Sequence, residues 1–290
     1  LLWTSTTMNM IPSPRTVAFQ GVPGAYSNLA CREVFPEAEA VPCKTFEAAF
    51  EAVRNGDTDV GMIPIENSLG GRVADIHSLI PKSGLYMVGE HFQKVEHMLL
   101  APKGATLEGL KRVYSHEQAL AQCRDLIANL GLEAVVHADT AGSAQEVAER
   151  GDPEEAAIAS SLAAEIYGLE PLRSRIEDKI GNTTRFIVMA RQRMDPPPTD
   201  PAITSLLFQV RSVPAALYKA LGGFATNGVN VVKLESYIVD MSFTVAQFYA
   251  EIEGHPAARE VDRALEEVRF FSTSVKELGV YPAHPFRRQG

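Results

Sequence analysis

Short polar side chains gather at Gly181-Asn182-Thr183-Thr184-Arg185-Phe186, directly ahead of the apolar run Ile187-Val188-Met189-Ala190. A buried strand gains little from two threonines, an asparagine and an arginine at its mouth. Hydroxyls and amides there can serve a polar ligand, and the arginine can face a carboxylate. The same mixture recurs where other apolar runs end. Glu66-Asn67-Ser68-Leu69-Gly70-Gly71 follows the run at 60–65, and Ser115-His116-Glu117-Gln118 follows 112–114. Asp139-Thr140 follows 134–137, and Ser160-Ser161 follows 156–159. Each group alone reads as a helix cap. Aimed together at one cleft, they make a site of neutral donors suited to a small carboxylate.

Such a convergence needs strands that end where helices begin. Apolar runs at 16–20, 60–65, 88–92, 98–101, 112–114, 134–137, 156–159 and 187–190 predict strands. Pro64 suggests the end or the edge of its strand. Thr45, with Glu47 in the first turn and Asn55-Gly56 at the close, predicts a helix with Phe46, Ala49, Phe50 and Val53 on its apolar face. A longer helix is expected from 115 to 130, striped by Ala119, Leu120, Cys123, Leu126, Ile127 and Leu130. Ser115 and Gln118 fit a capping box at its start. Gly21-Val22-Pro23-Gly24-Ala25-Tyr26-Ser27 is a glycine turn opening a helix. GxGxxG is not met, which argues against a dinucleotide cofactor and leaves a helix N-terminus that can face an anion. Alternating strands and helices predict largely parallel sheets with ligands at the carboxyl ends of the strands. The chain leaves for a second α/β unit near residue 100 and returns through 169–178, the pattern of a two-lobed, hinged clamp.

After Pro196-Pro197-Pro198 the order changes. Strands at 204–210, 229–236, 243–253 and 272–278 and helices at 215–226 and 256–269 read as βαββαβ, a ferredoxin-like plait suited to binding or assembly. Asn227-Gly228 supplies the turn after its first helix.

The 290 residues suffice for two or three domains, and a net charge of −9 without acidic blocks argues against a nucleic-acid partner. No stretch approaches the roughly 18 apolar residues of a membrane helix. Three isolated cysteines and seven scattered histidines form no metal motif and suit a reducing, cytoplasmic setting. Residues 1–14 read as a disordered leader without a secretory pattern, with Met8 or Met10 as a candidate first residue.

Six motifs in order resemble those of the prephenate dehydratase family: 20–27, 63–68 with Gly71, 114–118, 139–141, 157–160 and 182–186. The resemblance implies an α/β, two-lobed, periplasmic-binding-protein-like (type II) catalytic domain, plus an α+β ferredoxin-like ACT domain (βαββαβ). The catalytic domain is expected over 15–192, with one lobe at about 15–92 and 169–192 and the other at about 93–168. A Pro-rich linker covers 193–201, the ACT domain 202–281 and a tail 282–290. It also implies loss of carbon dioxide and water from prephenate to give phenylpyruvate, in L-phenylalanine biosynthesis, with no cofactor and no metal.

By the same resemblance the catalytic residues are Thr184, Glu66, Asn67, Ser115 and Gln118. Substrate is met by Ala25, Tyr26, Ser27, Ser68, Gly71, Thr140, Ser160, Asn182, Thr183, Arg185 and Phe186. Thr184 would polarise the leaving hydroxyl, and Glu66 is the candidate acid behind it; a solvated loop glutamate is the alternative. Arg185 either pairs with a substrate carboxylate or locks the loop through Asp178 or Glu66. His116, despite its titration range, reads as an outward helix position. The ACT motifs stand at Pro214-Ala215-Ala216-Leu217, Asn227-Gly228-Val229-Asn230 and Glu235-Ser236, the last followed by Tyr237-Ile238 where the family has Arg-Pro. They imply an L-phenylalanine effector and a homodimer or homotetramer assembled through ACT domains. Arogenate dehydratase is the alternative enzyme, and a non-catalytic carboxylate-binding sensor the alternative of another class.

Overall fold

The computed structural model describes residues 13–211, 213–238 and 246–288. The expected leader lies outside the described residues as far as Pro12, and so does the expected start of a strand at 243–245. Two compact units divide the chain. One holds Arg15–Ile76 and His91–Phe186, and the other holds His77–Glu90 and Ile187–Gly290.

In chain order, the elements begin β1 (Thr16–Gln20), α1 (Tyr26–Val34), β2 (Glu39–Cys43), α2 (Phe46–Asn55), β3 (Val60–Asn67) and β4 (Gly71–Arg72). Next come α3 (Ala74–Ser83), β5 (Tyr86–Lys94), β6 (Met98–Ala101), β7 (Arg112–His116), α4 (Glu117–Gln122) and α5 (Arg124–Asn129). The series continues through β8 (Glu133–His137), α6 (Thr140–Arg150), β9 (Glu155–Ala159), α7 (Ser161–Tyr167), β10 (Glu170–Ser174) and β11 (Thr183–Ala190).

One sheet runs β2-β1-β3-β11-β5, with β4 added to β3. β1 is parallel to both β2 and β3. Pro64 sits inside β3, a central strand, contrary to the expectation of an end or an edge. Pairing to β1 stops at Met62 and pairing to β4 starts at Glu66, so Pro64 lies in the gap between those two ladders.

The other sheet runs β10-β6-β9-β7-β8. β7 is parallel to β8 and β9, whereas β6 and β10 pair antiparallel. Side chains alternate across it with period two. Leu99, Val113 and Ile158 pack with Leu120 and Cys123 on one face, and Leu100, Ala157 and Ala159 with Ala144, Val147 and Ala163 on the other. β10 belongs to this sheet, so the return crossing falls after Ser174 rather than at Leu169. The expected continuous helix over 115–130 is two short ones. The Asp178 carboxylate accepts the Arg124 and Asp125 N–H groups at 2.9 and 3.2 Å, capping a fresh start at α5. The Asp178 N–H meanwhile donates to the Gln122 carbonyl at 2.7 Å.

Within the same unit the glycine turn reaches the far lobe. Gly24 has φ +89°, and a Cβ there would lie 2.9 Å from the Ala163 Cα. Ser160 donates to the Gly24 carbonyl at 2.6 Å, and Tyr167 to the Pro23 carbonyl at 2.7 Å. Close backbone approach, not phosphate binding, is what this glycine permits.

The second unit carries β12 (Ala202–Val210), α8 (Ala216–Thr226), β13 (Val231–Ile238), β14 (Ala246–Glu253), α9 (Arg259–Phe271) and β15 (Ser272–Pro282). The sheet order is β13-β14-β12-β15, antiparallel throughout, which is the ferredoxin-like plait. Leu206, Phe208, Phe248, Ala250 and Ile252 pack against Phe224, Val261, Leu265 and Val268 of the two helices. His77–Glu90 meets the other face, where Tyr249 and Glu251 point. A Cβ on Gly279 would overlap the Met87 carbonyl oxygen. Arg287 donates to both Glu90 oxygens at 2.7 and 2.9 Å and to Glu251 at 3.1 Å, and both carboxylate side chains are fully buried. Among the described residues no helix is long and apolar enough to cross a membrane.

Candidate functional site

Asn67 closes β3 with its side chain turned back on its own loop. Its Oδ1 accepts the Leu69 and Gly70 N–H groups at 2.9 and 2.7 Å, an Asx turn. With the oxygen held there, the amide nitrogen faces β11. It donates to Asn182 Oδ1 at 2.7 Å and to Thr184 Oγ1 at 2.9 Å. Thr184 is half-buried, and among the described residues its hydroxyl has this one hydrogen bond, in which it accepts. Its own hydrogen stays free to donate.

The cluster continues away from Thr184. Asn182 is buried, and its Nδ2 donates to Gln122 Oε1 at 3.0 Å. The same oxygen lies 2.9 Å from His97 Nε2, and His97 Nδ1 lies 2.8 Å from the Tyr26 hydroxyl. Burial pushes the Tyr26 phenol well above its ordinary pKa. Alongside, Ser68 and Thr183 join their loops by reciprocal bonds. The Thr183 N–H donates to Ser68 Oγ, and the Ser68 N–H to the Thr183 carbonyl, both at 2.9 Å.

Arg185 is buried with its Nη1 3.0 Å from Glu66 Oε1, so of its expected locks Glu66, not Asp178, is the partner. A cavity of about 280 Å³ borders Asn182 and Gly181. Lys94, Arg175, Glu96 and Glu177 line it too.

Other expected residues stand elsewhere. Ser115 is fully buried, and its hydroxyl donates to the Ile158 carbonyl at 2.6 Å, bracing β7 to β9. No capping box forms there. His116 is the N-cap of α4, its Nδ1 accepting the Gln118 N–H at 3.2 Å, because β7 runs one residue past Ser115. The Gln118 side chain is exposed, and the glutamine in the cluster is Gln122, one turn on. Thr140 opens α6 behind its cap Asp139, which accepts the Gly142 N–H at 2.6 Å. Ser160 is fully buried as the cap of α7 and the brace to Gly24. Ala25 and Ser27 are half-buried at the start of α1, Gly71 is exposed on β4, and Phe186 is buried. His97 and Gln122 escaped the sequence reading. One sits in a connection between sheets and the other is the last residue of α4, and only the fold joins them to Asn182.

In the plait, Ala215 precedes α8 with φ +61°, next to exposed Pro214, buried Ala216 and half-buried Leu217. Asn227 donates to the Gly223 carbonyl at 2.8 Å and to Glu267 at 3.0 Å, Gly228 turns with φ +69°, and Val229 is buried. Asn230 donates to Glu253 at 3.1 Å. Glu235 is bound by Lys233 and by the Tyr237 hydroxyl, and Ser236 is exposed. No group of three or more metal-ligating side chains occurs among the described residues.

An α/β body built on two sheets, with an amide and hydroxyl cluster at its strand ends and a ferredoxin-like plait after it in the chain, defines the class of molecule. The family model described as prephenate dehydratase matches residues 17–194. The bifunctional N-acyl-homoserine lactone acylase/prephenate dehydratase of Komagataeibacter europaeus is 52% identical over 276 residues, 95% of this chain and 98% of that one. Arogenate dehydratase 2 of Petunia hybrida is 40% identical, over 92% of this chain and 71% of that one. The structure of prephenate dehydratase from Arthrobacter aurescens in complex with L-Phe superposes with a TM-score of 0.84 at 31% identity, covering 92% of this chain and 90% of that one. The chain belongs to the prephenate dehydratase family.

Proposed function

We propose that the chain converts prephenate into phenylpyruvate, carbon dioxide and water, with residues 15–192 as the catalytic domain and Thr184 as its central donor. The ring carboxylate leaves as carbon dioxide, and the electron pair of the broken C–C bond aromatises the ring. The C–O bond to the ring hydroxyl breaks, and that hydroxyl takes a proton to leave as water. A threonine is too weak an acid to surrender its proton outright. A hydrogen bond to the departing oxygen, which strengthens as negative charge grows there, is the contribution open to it. The observation that carries this reading is the 2.9 Å bond from Asn67 to Thr184, in which Thr184 accepts and its hydrogen remains for substrate.

The plait, over 202–281, acts as an ACT domain that binds L-phenylalanine and assembles the chain as a homodimer or homotetramer. A relative with L-Phe bound in its structure supports the effector. Three free cysteines suit cytoplasmic work in phenylalanine biosynthesis. Two further activities have specific support. Arogenate as substrate draws on the 40% identity to the petunia enzyme, and acylase activity on the 52% identity to the Komagataeibacter protein.

Purified protein supplied separately with prephenate, arogenate and an N-acyl-homoserine lactone decides among them. Phenylpyruvate from the first is the expected product. Its absence, with phenylalanine from arogenate or free homoserine lactone from the third, transfers the assignment. Added L-phenylalanine is expected to bind by calorimetry and to change the assembly in light scattering.

A further inference from the structure

We propose that His97 is a positioning residue for this dehydration: its Nε2–H holds Gln122 and Asn182 in the orientation that receives the Asn67 amide, and so keeps that amide placed beside Thr184. The inference rests on the reading of Thr184 as the donor to the departing hydroxyl.

The direction of each bond follows from one end of the chain of side chains. The Leu69 and Gly70 N–H groups can only donate, so the Asn67 atom facing them is oxygen. Its NH2 therefore faces Asn182, whose facing atom must be oxygen. The Asn182 NH2 then faces Gln122, whose facing atom must be oxygen in turn. That oxygen lies 2.9 Å from His97 Nε2, which must carry a hydrogen. In a neutral ring Nδ1 is then bare, and the Tyr26 hydroxyl, 2.8 Å from it and 2.9 Å from the Glu96 carbonyl, offers its one hydrogen to both acceptors.

The surroundings favour that state. His97 is 2% exposed. Desolvation lowers its pKa from the ordinary 6.5, against the opposing pulls of the Gln122 bond and the Glu177 charge. The main chain holds the residue in place: its N–H donates to Glu177 at 3.1 Å, and its carbonyl accepts the Ile176 N–H at 3.2 Å. The opposite tautomer would present a bare Nε2 and draw the Gln122 NH2 toward the ring. Asn182 would then have to turn its oxygen to Gln122 and its NH2 to the Asn67 NH2, placing two donors 2.7 Å apart. Asn67 would lose its bond to Asn182 and with it that support beside Thr184.

Nitrogen-15 spectra of the labelled full-length protein, with His97 assigned by comparison with His97→Gln, read the ring directly. At pH 7.5 the expected pattern is a protonated Nε2 and a bare Nδ1. A hydrogen on Nδ1 alone, or on both nitrogens, overturns the proposal whatever the protein turns over. Kinetics give the second arm. His97→Leu is expected to lower kcat about 10- to 30-fold with KM unchanged, whereas His97→Gln, whose NH2 can replace Nε2–H, loses about threefold at most. Equal kcat values in the two variants, or a loss confined to KM, overturn it as well. Failure of the unsubstituted protein to turn over prephenate would instead overturn the functional reading, a result separate from a wrong tautomer.

Discussion

The Asn67 amide and the Thr184 hydroxyl, 117 residues apart in sequence, meet at 2.9 Å with the amide as donor. Because the Asn67 oxygen is already committed to two backbone N–H groups, the amide cannot reverse. Thr184 is thereby an acceptor toward Asn67, with its own hydrogen left to donate.

Asn67→Asp tests that polarity. A carboxylate still accepts from Leu69 and Gly70 but cannot donate, so the Thr184 hydrogen turns to Asp and away from substrate. The expected loss in kcat is about 10- to 100-fold, with thermal unfolding close to that of the unsubstituted protein. Undiminished kcat would show that the Thr184 hydrogen is not needed there.

Acid should weaken the fold through His97. Its folded pKa lies below the ordinary 6.5, so the unfolded chain binds this proton first as pH falls. The stability it contributes is complete above pH 6.5 and is lost as pH falls from there through the folded value. His97→Gln should therefore show a shallower decline in Tm between pH 6.5 and 5. Parallel curves would place the titration elsewhere.

Gly24→Ala tests the contact between the lobes. The positive φ and the 2.9 Å approach to Ala163 oppose any side chain, at a cost of about 1–3 kcal/mol. A lower Tm together with reduced kcat is expected. An unchanged Tm would mean the turn relaxes freely.

Arg287→Ala removes a cation from between Glu90 and Glu251, both fully buried at the side chain. Breaking a buried ion pair from one side costs about 3–5 kcal/mol, and adding Glu90→Gln to Arg287→Ala should recover part of it. Urea titration measures both. A double variant no more stable than the single one would contradict the charge argument.

Much of this architecture was legible because local chemistry and burial agree. Thr45, Asp139 and Ser160 cap the helices they precede, and period two separates Leu99 from Leu100 onto opposite faces. Legibility failed where a distant segment intervened. Nothing near Cys123 announces a helix break, since the carboxylate that creates it arrives from Asp178. Pro64 looked like a strand end because no local signal tells which ladders a central strand forms. The site divides in the same way. Asn67, Asn182 and Thr184 stand at strand mouths and can be read from type and place, whereas Gln122 and His97 enter it only through the crossing of the sheets. Ser115, a polar residue at a strand mouth, spends its hydroxyl hydrogen on the neighbouring strand, which residue type and place do not reveal.

Replacement of Thr184 tests the account most directly. Steady-state kinetics on prephenate, run for Thr184→Val and Thr184→Ser beside their unfolding curves, separate a hydroxyl from a shape. The account predicts that valine lowers kcat by about two to three orders of magnitude with KM little changed, while serine keeps most of the rate and both fold normally. A valine variant that turns over at the original rate, or a serine variant as impaired as valine, would contradict it.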